Sequence, residues 1–130
     1  MGTFYIIHYC LRFMREQNYG RIINLSSVVA QMGIPGTSAY AASKSGLLGL
    51  TKSIAAESAS KGITINTINL GYFNIGMINE VTQEMQEVIK KRIPINHQFG
   101  DPEIIFEAVN FIIKTSYLTG ASLDINGGII

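Results

Sequence analysis

Residues 25–44 read LSSVVAQMGIPGTSAYAASK, and the segment before them, Arg21-Ile22-Ile23-Asn24-Leu25, is a short apolar run. The run reads as a buried strand that ends in Ser26 and Ser27. A loop with Gly33, Pro35 and Gly36 follows, and then a helix carrying Tyr40, Ala41, Ala42, Ser43, Lys44 and Gly46. Residues four apart on a helix share a face, so a phenol and an ammonium sit side by side, able to act on one substrate atom. A neighbouring cation favours the phenolate and makes a phenol a better proton-transfer group near neutral pH. Ser27, at the mouth of the strand, is placed to polarise a carbonyl. Ser27, Tyr40 and Lys44 are therefore the candidate catalytic residues. The competing reading of Tyr-x-x-x-Lys is a surface tyrosine packed on a lysine stem; the strand, paired serines and glycine-proline loop ahead of it favour the catalytic one.

Working outward, Gly62 ends the Tyr40 helix, and Ile63 to Leu70 is rich in β-branched residues, which predicts a second strand. Strand, long helix and strand make a β-α-β unit, so the two strands are parallel and joined by a right-handed crossover. Ligands in such sheets bind beyond the carboxyl ends of the strands. Ser27 and Gly71 both fall there.

Upstream, Phe4, Ile7, Leu11 and Met14 fall on one helical face, with Gly20 as a stop. Such a helix normally covers a sheet. His8 reads as packed or partly exposed, and the lone Cys10 as core rather than nucleophile. In the Tyr40 helix Leu47, Leu50 and Ile54 form an apolar stripe, and Ala41, Ala42, Ser45, Gly46 and Gly49 permit close approach of the sheet, a cofactor or a second subunit. Downstream, a polar helix from about Val81 to Arg92 offers Met85, Val88 and Ile89 as a narrow apolar face, which reads as a flap held lightly against the body. Asp101-Pro102-Glu103 is a strong helix start, with Ile104, Ala108, Phe111 and Ile112 as the buried stripe beyond it. Ser122 to Ile125 is a final strand.

The 130 residues fit one domain. A net charge of +1 with 15% charged residues gives no basic stripe or acidic tail, so neither nucleic acid nor an anionic membrane is an expected partner. The apolar stretches are broken well short of membrane-spanning length, and the N-terminus lacks a secretory pattern. A single cysteine excludes an internal disulfide and is compatible with a reducing, cytoplasmic compartment.

This assembly resembles the active-site segment of the short-chain dehydrogenase/reductase family, and the likeness extends along the chain. Ser27, Tyr40 and Lys44 match the family's catalytic serine, tyrosine and lysine. Asn66 to Gly71 resembles its asparagine-to-proline-glycine strand end, Ile93-Pro94 and Gly100 to Glu103 its segment before a helix, and Tyr117 to Gly128 its closing strand. The wording is nearest to 3-oxoacyl-(acyl-carrier-protein) and acetoacetyl-CoA reductases. The resemblance implies an α/β fold, the C-terminal half of a Rossmann-like doubly wound parallel sheet flanked by helices. It implies an NAD(P)-dependent oxidoreductase that reduces a 3-oxoacyl thioester to a 3-hydroxyacyl product in fatty acid biosynthesis, with NADPH, or NADH, as cofactor. By carry-over Tyr40 is the general acid, Lys44 holds the cofactor ribose and tunes Tyr40, Ser27 binds the substrate carbonyl, and the backbone around Gly71 to Phe73 meets the nicotinamide. A homo-oligomer, a tetramer in the intact family member, is implied through helix 1–16 and the Tyr40 helix, and no metal.

The departures matter as much. None of the thirteen glycines has the family's Gly-x-x-x-Gly-x-Gly spacing, so residues 1–130 read as a single partial domain lacking the N-terminal dinucleotide-binding turn. Without that turn no helix N-terminus holds the pyrophosphate, and dinucleotide affinity is expected to collapse. Leu70 stands where the family has proline, Ile75 where it usually has threonine, and one residue is added near His97 and Gln98. Two further readings follow: a catalytically silent fragment that scaffolds intact relatives, and a chain that does not fold stably alone.

Overall fold

The computed structural model describes residues 2–129. Among the described residues four α-helices and three strands follow in the order α1 (Gly2–Glu16), β1 (Gly20–Ser27), α2 (Ser38–Ser58), β2 (Ile63–Leu70), α3 (Gln83–Arg92), α4 (Glu103–Lys114) and β3 (Ser122–Ile125). The strands form one parallel sheet in the order β1-β2-β3. β1 pairs with β2 from Gly20↔Ile63 to Ser27↔Leu70, and β2 with β3 from Thr67↔Ser122 to Leu70↔Ile125. Parallel neighbours need a crossover, which α2 and α4 supply. The expected β-α-β unit and partial Rossmann-like sheet are thus present.

One face of the sheet is covered by α1 and α2. Ile7, Leu11, Ile54 and Ala55 pack with Ile63 and Ile65, and Met14, Ile22 and Leu50 close around them. Gly20 opens β1 rather than closing α1. A Cβ there would lie 2.5 Å from Met14 Sδ, so the bare glycine is what the Met14 side chain packs onto. The chain reversal falls instead on Asn18, whose φ of 53° is left-handed, a conformation that asparagine tolerates better than most residues.

β2 is buried from Ile63 to Asn69 although half of it is polar. Buried polar groups call for partners, and those of β2 find them except at Thr64 Oγ1 and Asn69 Oδ1. Asn66, fully buried, donates to Leu118 O at 2.9 Å and accepts from Ala121 N at 3.1 Å. Asn24 donates to Thr51 Oγ1 at 2.9 Å, and the Thr51 and Thr67 hydroxyls lie 2.7 Å apart. Asn69 donates to Ser122 Oγ at 2.8 Å and to Asp124 Oδ1 at 2.6 Å. These side chains stitch α2 and β3 to the central strand.

Several expectations need correction. Cys10 is exposed, and so is Phe4 at 47%: only Ile7 and Leu11 of α1 are buried. In α4 Ile112 alone is buried, while Ile104 and Phe111 are 43% and 54% exposed. Helical periodicity identifies an apolar face, but burial also needs a surface opposite it, and this three-stranded sheet is too narrow to cover those faces. α3 begins at Gln83, after a 3-10 turn at Gly76–Glu80, because the Thr82 side chain accepts from Met85 N and fixes the start. Its Met85 and Val88 are exposed, and α3 is tied down instead by polar contacts, Gln86 Nε2 donating to Ile78 O and Val81 O and Lys90 Nζ lying 5.3 Å from the centre of the Phe99 ring. Asp101 does initiate α4: its Oδ1 accepts from Glu103 N at 2.9 Å. Asn96 and His97, where the sequence suggests one added residue, are two consecutive left-handed residues, at φ 54° and 50°.

Candidate functional site

At the carboxyl ends of β1 and β2 the chain leaves a cleft of about 560 Å³ lined by Ser27, Tyr40, Lys44, Gly71 and Phe73 together. All five residues singled out from the sequence therefore meet in one place. Ser27 is the last residue of β1 and caps the 3-10 turn at Val28–Ala30, its Oγ accepting from Val29 N at 3.2 Å. That bond uses an acceptor lone pair and leaves the hydroxyl proton free to donate.

Tyr40 and Lys44 lie one turn apart near the start of α2. The Lys44 Nζ stands 5.7 Å from the centre of the Tyr40 ring and donates to Leu25 O at 2.9 Å. Three serines hold this end of α2 in place. Ser26 Oγ donates to Lys44 O at 3.1 Å, Ser45 Oγ to Ala30 O at 3.0 Å, and Ser43 Oγ to Tyr40 O at 2.7 Å. The first two tie the helix to the strand end that carries Ser27. Sequence reasoning read Ser45 only as a small residue permitting close approach and assigned no role to Leu25 O or Ser26; the doubled serine at the strand end was the one available signal.

The opposite wall is Gly71–Phe73, leaving β2. Gly71 must be glycine, since a Cβ would lie 2.6 Å from Asn126 Cα, and its N–H donates to Ile125 O at 2.9 Å. Phe73 bridges to Gly100. Val28 packs with Ile93 and Ile129, and Tyr72 and Phe99 close against them. Leu70 and Ile75, the two departures from the family pattern, both line the cleft, and Ile75 is 58% exposed.

The lining is otherwise apolar, including Ile78, Val81, Ile89 and Ile105, and Lys44 is the one charged residue in it. A cation in an apolar recess without a facing carboxylate favours negative charge developing nearby. A hydroxyl, a phenol and an ammonium around such a recess can stabilise an oxyanion and deliver a proton to it. A nicotinamide cofactor can be tested against these residues. The donors of Tyr40 and Lys44 and the close-packed backbone at Gly71 fit its nicotinamide-ribose end. None of the glycine spacings fits a pyrophosphate turn. Among the described residues no group of three or more His, Cys, Asp or Glu is arranged to hold a metal, and no helix is long and apolar enough to cross a membrane.

Comparison with known proteins agrees with this geometry. Residues 1–130 match the family described as enoyl-(acyl carrier protein) reductase. The 3-oxoacyl-[acyl-carrier-protein] reductase FabG of Rickettsia conorii is 39% identical over 131 residues, covering 99% of this chain and 54% of the relative. That of Vibrio cholerae is 41% identical over 120 residues, 91% of this chain and 49% of the relative. A solved structure from Sinorhizobium meliloti, classed with the short-chain alcohol dehydrogenases, superposes with a TM-score of 0.88 at 34% identity over 98% of this chain and 52% of that one. The chain thus spans about half the length of the curated relatives it matches. With the parallel sheet, the Tyr-x-x-x-Lys helix and these matches in hand, the chain belongs to the short-chain dehydrogenase/reductase family.

Proposed function

We propose that this chain carries the catalytic half of an NAD(P)-dependent oxidoreductase that reduces a 3-oxoacyl thioester, presented on an acyl carrier, to its 3-hydroxyacyl product. The observation that carries the reading is the convergence of Ser27, Tyr40 and Lys44 on one apolar cleft at the strand ends. Ser27 donates its free hydroxyl proton to the substrate carbonyl. Tyr40 protonates the oxygen as charge builds on it, and Lys44 favours that charge and holds the ribose hydroxyls. The backbone of Gly71 and Phe73 positions the nicotinamide. A reduced nicotinamide, when bound, supplies the hydride. NADPH is the proposed cofactor, the compartment cytoplasmic, and the assembly a homo-oligomer through α1 and α2.

Because residues 1–130 contain no pyrophosphate turn, the isolated polypeptide is expected to bind NADPH without saturation below millimolar concentration. A fluorescence titration reads this directly, and tight binding overturns it. The reaction itself is tested by following oxidation of millimolar NADPH by acetoacetyl-CoA, with Tyr40→Phe alongside. Oxidation that depends on Tyr40 supports the reductase. Equal traces for both chains remove it and leave the second reading, a silent scaffold that binds intact relatives. One observation favours that alternative: α1 exposes Tyr5, Ile6, Tyr9 and Phe13 at 53%, 66%, 61% and 68%.

A further inference from the structure

Phe73 faces more than one space. With Tyr72 it lines both the catalytic cleft and a second cavity of about 310 Å³ whose other walls include Ile93, Ile95, Phe99 and Ile104. It is nonetheless only 8% exposed, because its ring is pressed onto Gly100. A Cβ built at residue 100 would lie 2.7 Å from Phe73 Cε1 and 2.8 Å from Cδ1, closer than packed carbon atoms approach. The backbones are joined as well: Asn74 N–H donates to Gly100 O at 3.0 Å and Gly100 N–H to Tyr72 O at 2.9 Å. With Gly71 seated on Asn126 at the other end, the segment between the two cavities is clamped on both sides. Gly100 lines the second cavity and not the cleft, so a methyl group added there drives the ring towards Tyr40 and Lys44.

We propose that Phe73 is the partition that limits how long an apolar acyl chain the cleft accepts, with Gly100 as the positioning residue that seats its ring. The space behind it becomes available only when the ring is removed. Both sides of the wall are mainly hydrocarbon; the second cavity also carries Asn96, Gln98, Asp101 and Asn126, so an alkyl chain that crosses the wall gains most along its apolar residues. Each methylene that enters adds about fourfold in affinity. The inference rests on the acyl-thioester reading above and deepens it into a length preference.

The test is displacement of the fluorescent probe anilinonaphthalene sulfonate from the purified chain by straight-chain fatty acids running from butanoate to hexadecanoate. In the wild type, affinity rises with each methylene and then stops rising at a defined length. In Phe73→Ala the break moves to longer acids, with about fourfold gained per added methylene, and in Gly100→Ala it moves to shorter ones. Phe73→Leu, which keeps an apolar side chain of intermediate size, gives an intermediate break and guards against a variant that fails to fold, with circular dichroism recorded on each. The partition is overturned if the wild type shows no break, if the break is unchanged in both Phe73 variants, or if Gly100→Ala lengthens it. Acetoacetyl and longer 3-oxoacyl thioesters are assayed in parallel at millimolar NADPH. A break that moves while no chain oxidises NADPH sinks the reductase reading alone. Turnover with identical length profiles in wild type and Phe73→Ala sinks the partition alone.

Discussion

Lys44 is anchored through Nζ to Leu25 O, whereas Tyr40 is 40% exposed at the cleft, and losing its hydroxyl alone disturbs little packing. Tyr40→Phe is therefore expected to leave the far-ultraviolet circular dichroism unchanged while lowering NADPH oxidation by about 10²–10⁴, the usual contribution of a positioned proton donor. Ser27→Ala is a less clean change, because the hydroxyl proposed to meet the substrate also caps Val29 N. It should reduce turnover by about 10²–10³ and also lower the thermal midpoint, which Tyr40→Phe should not. The Tyr40–Lys44 pair was legible because its geometry is local, one helical turn. Its backbone partner Leu25 O was not, since a carbonyl from an element that folds back against the helix has no residue type to announce it.

The elements differ in how they respond to loss of one side chain. Asn66 serves two backbone groups from the buried centre of β2, and Asn66→Ala would strand both, at a cost of about 1–3 kcal/mol for each buried group left unpaired. Urea unfolding measures it, and an unchanged midpoint would show that water replaces the amide. On α3 the effect is of a different order. Hydrogen bonding and charge from Lys90 lower the Glu87 carboxyl below its ordinary range, yet the Glu87 side chain is 62% exposed, where such pairs contribute little. A lowered folded-state value means that the stabilisation is present above the unfolded carboxylate's titration and is lost as pH falls through the folded one. Glu87→Gln should thus melt slightly below wild type at neutral pH and level with it in strong acid. β2 was readable from its β-branched residues. The overcalled stripes of α1 and α4 show where that reading stops, because Phe4 and Phe111 lie on apolar faces that find no cover, and periodicity does not record what lies opposite.

For the molecule as a whole, the proposed homo-oligomer is tested at the outer surface of α1. Ile6 and Phe13, 66% and 68% exposed, belong to an apolar surface of the kind that marks an interface. Ile6→Glu together with Phe13→Glu is expected to shift the chain towards monomer in sedimentation velocity at fixed concentration, while single-copy behaviour of the wild type would remove the homo-oligomer from the proposal. The half-family architecture was legible through ordered motifs from Ser27 to Gly128, whereas the left-handed pair at Asn96 and His97 was visible only as a length mismatch. β2, meanwhile, is shared by both neighbouring strands but meets them at different times. Its pairing with β1 is complete once residue 70 has been made, while β3 is not synthesised until Ser122–Ile125. During translation the far edge of this strand therefore stays open for the whole interval, offering unpaired amides to any chaperone or sister chain at the ribosome exit.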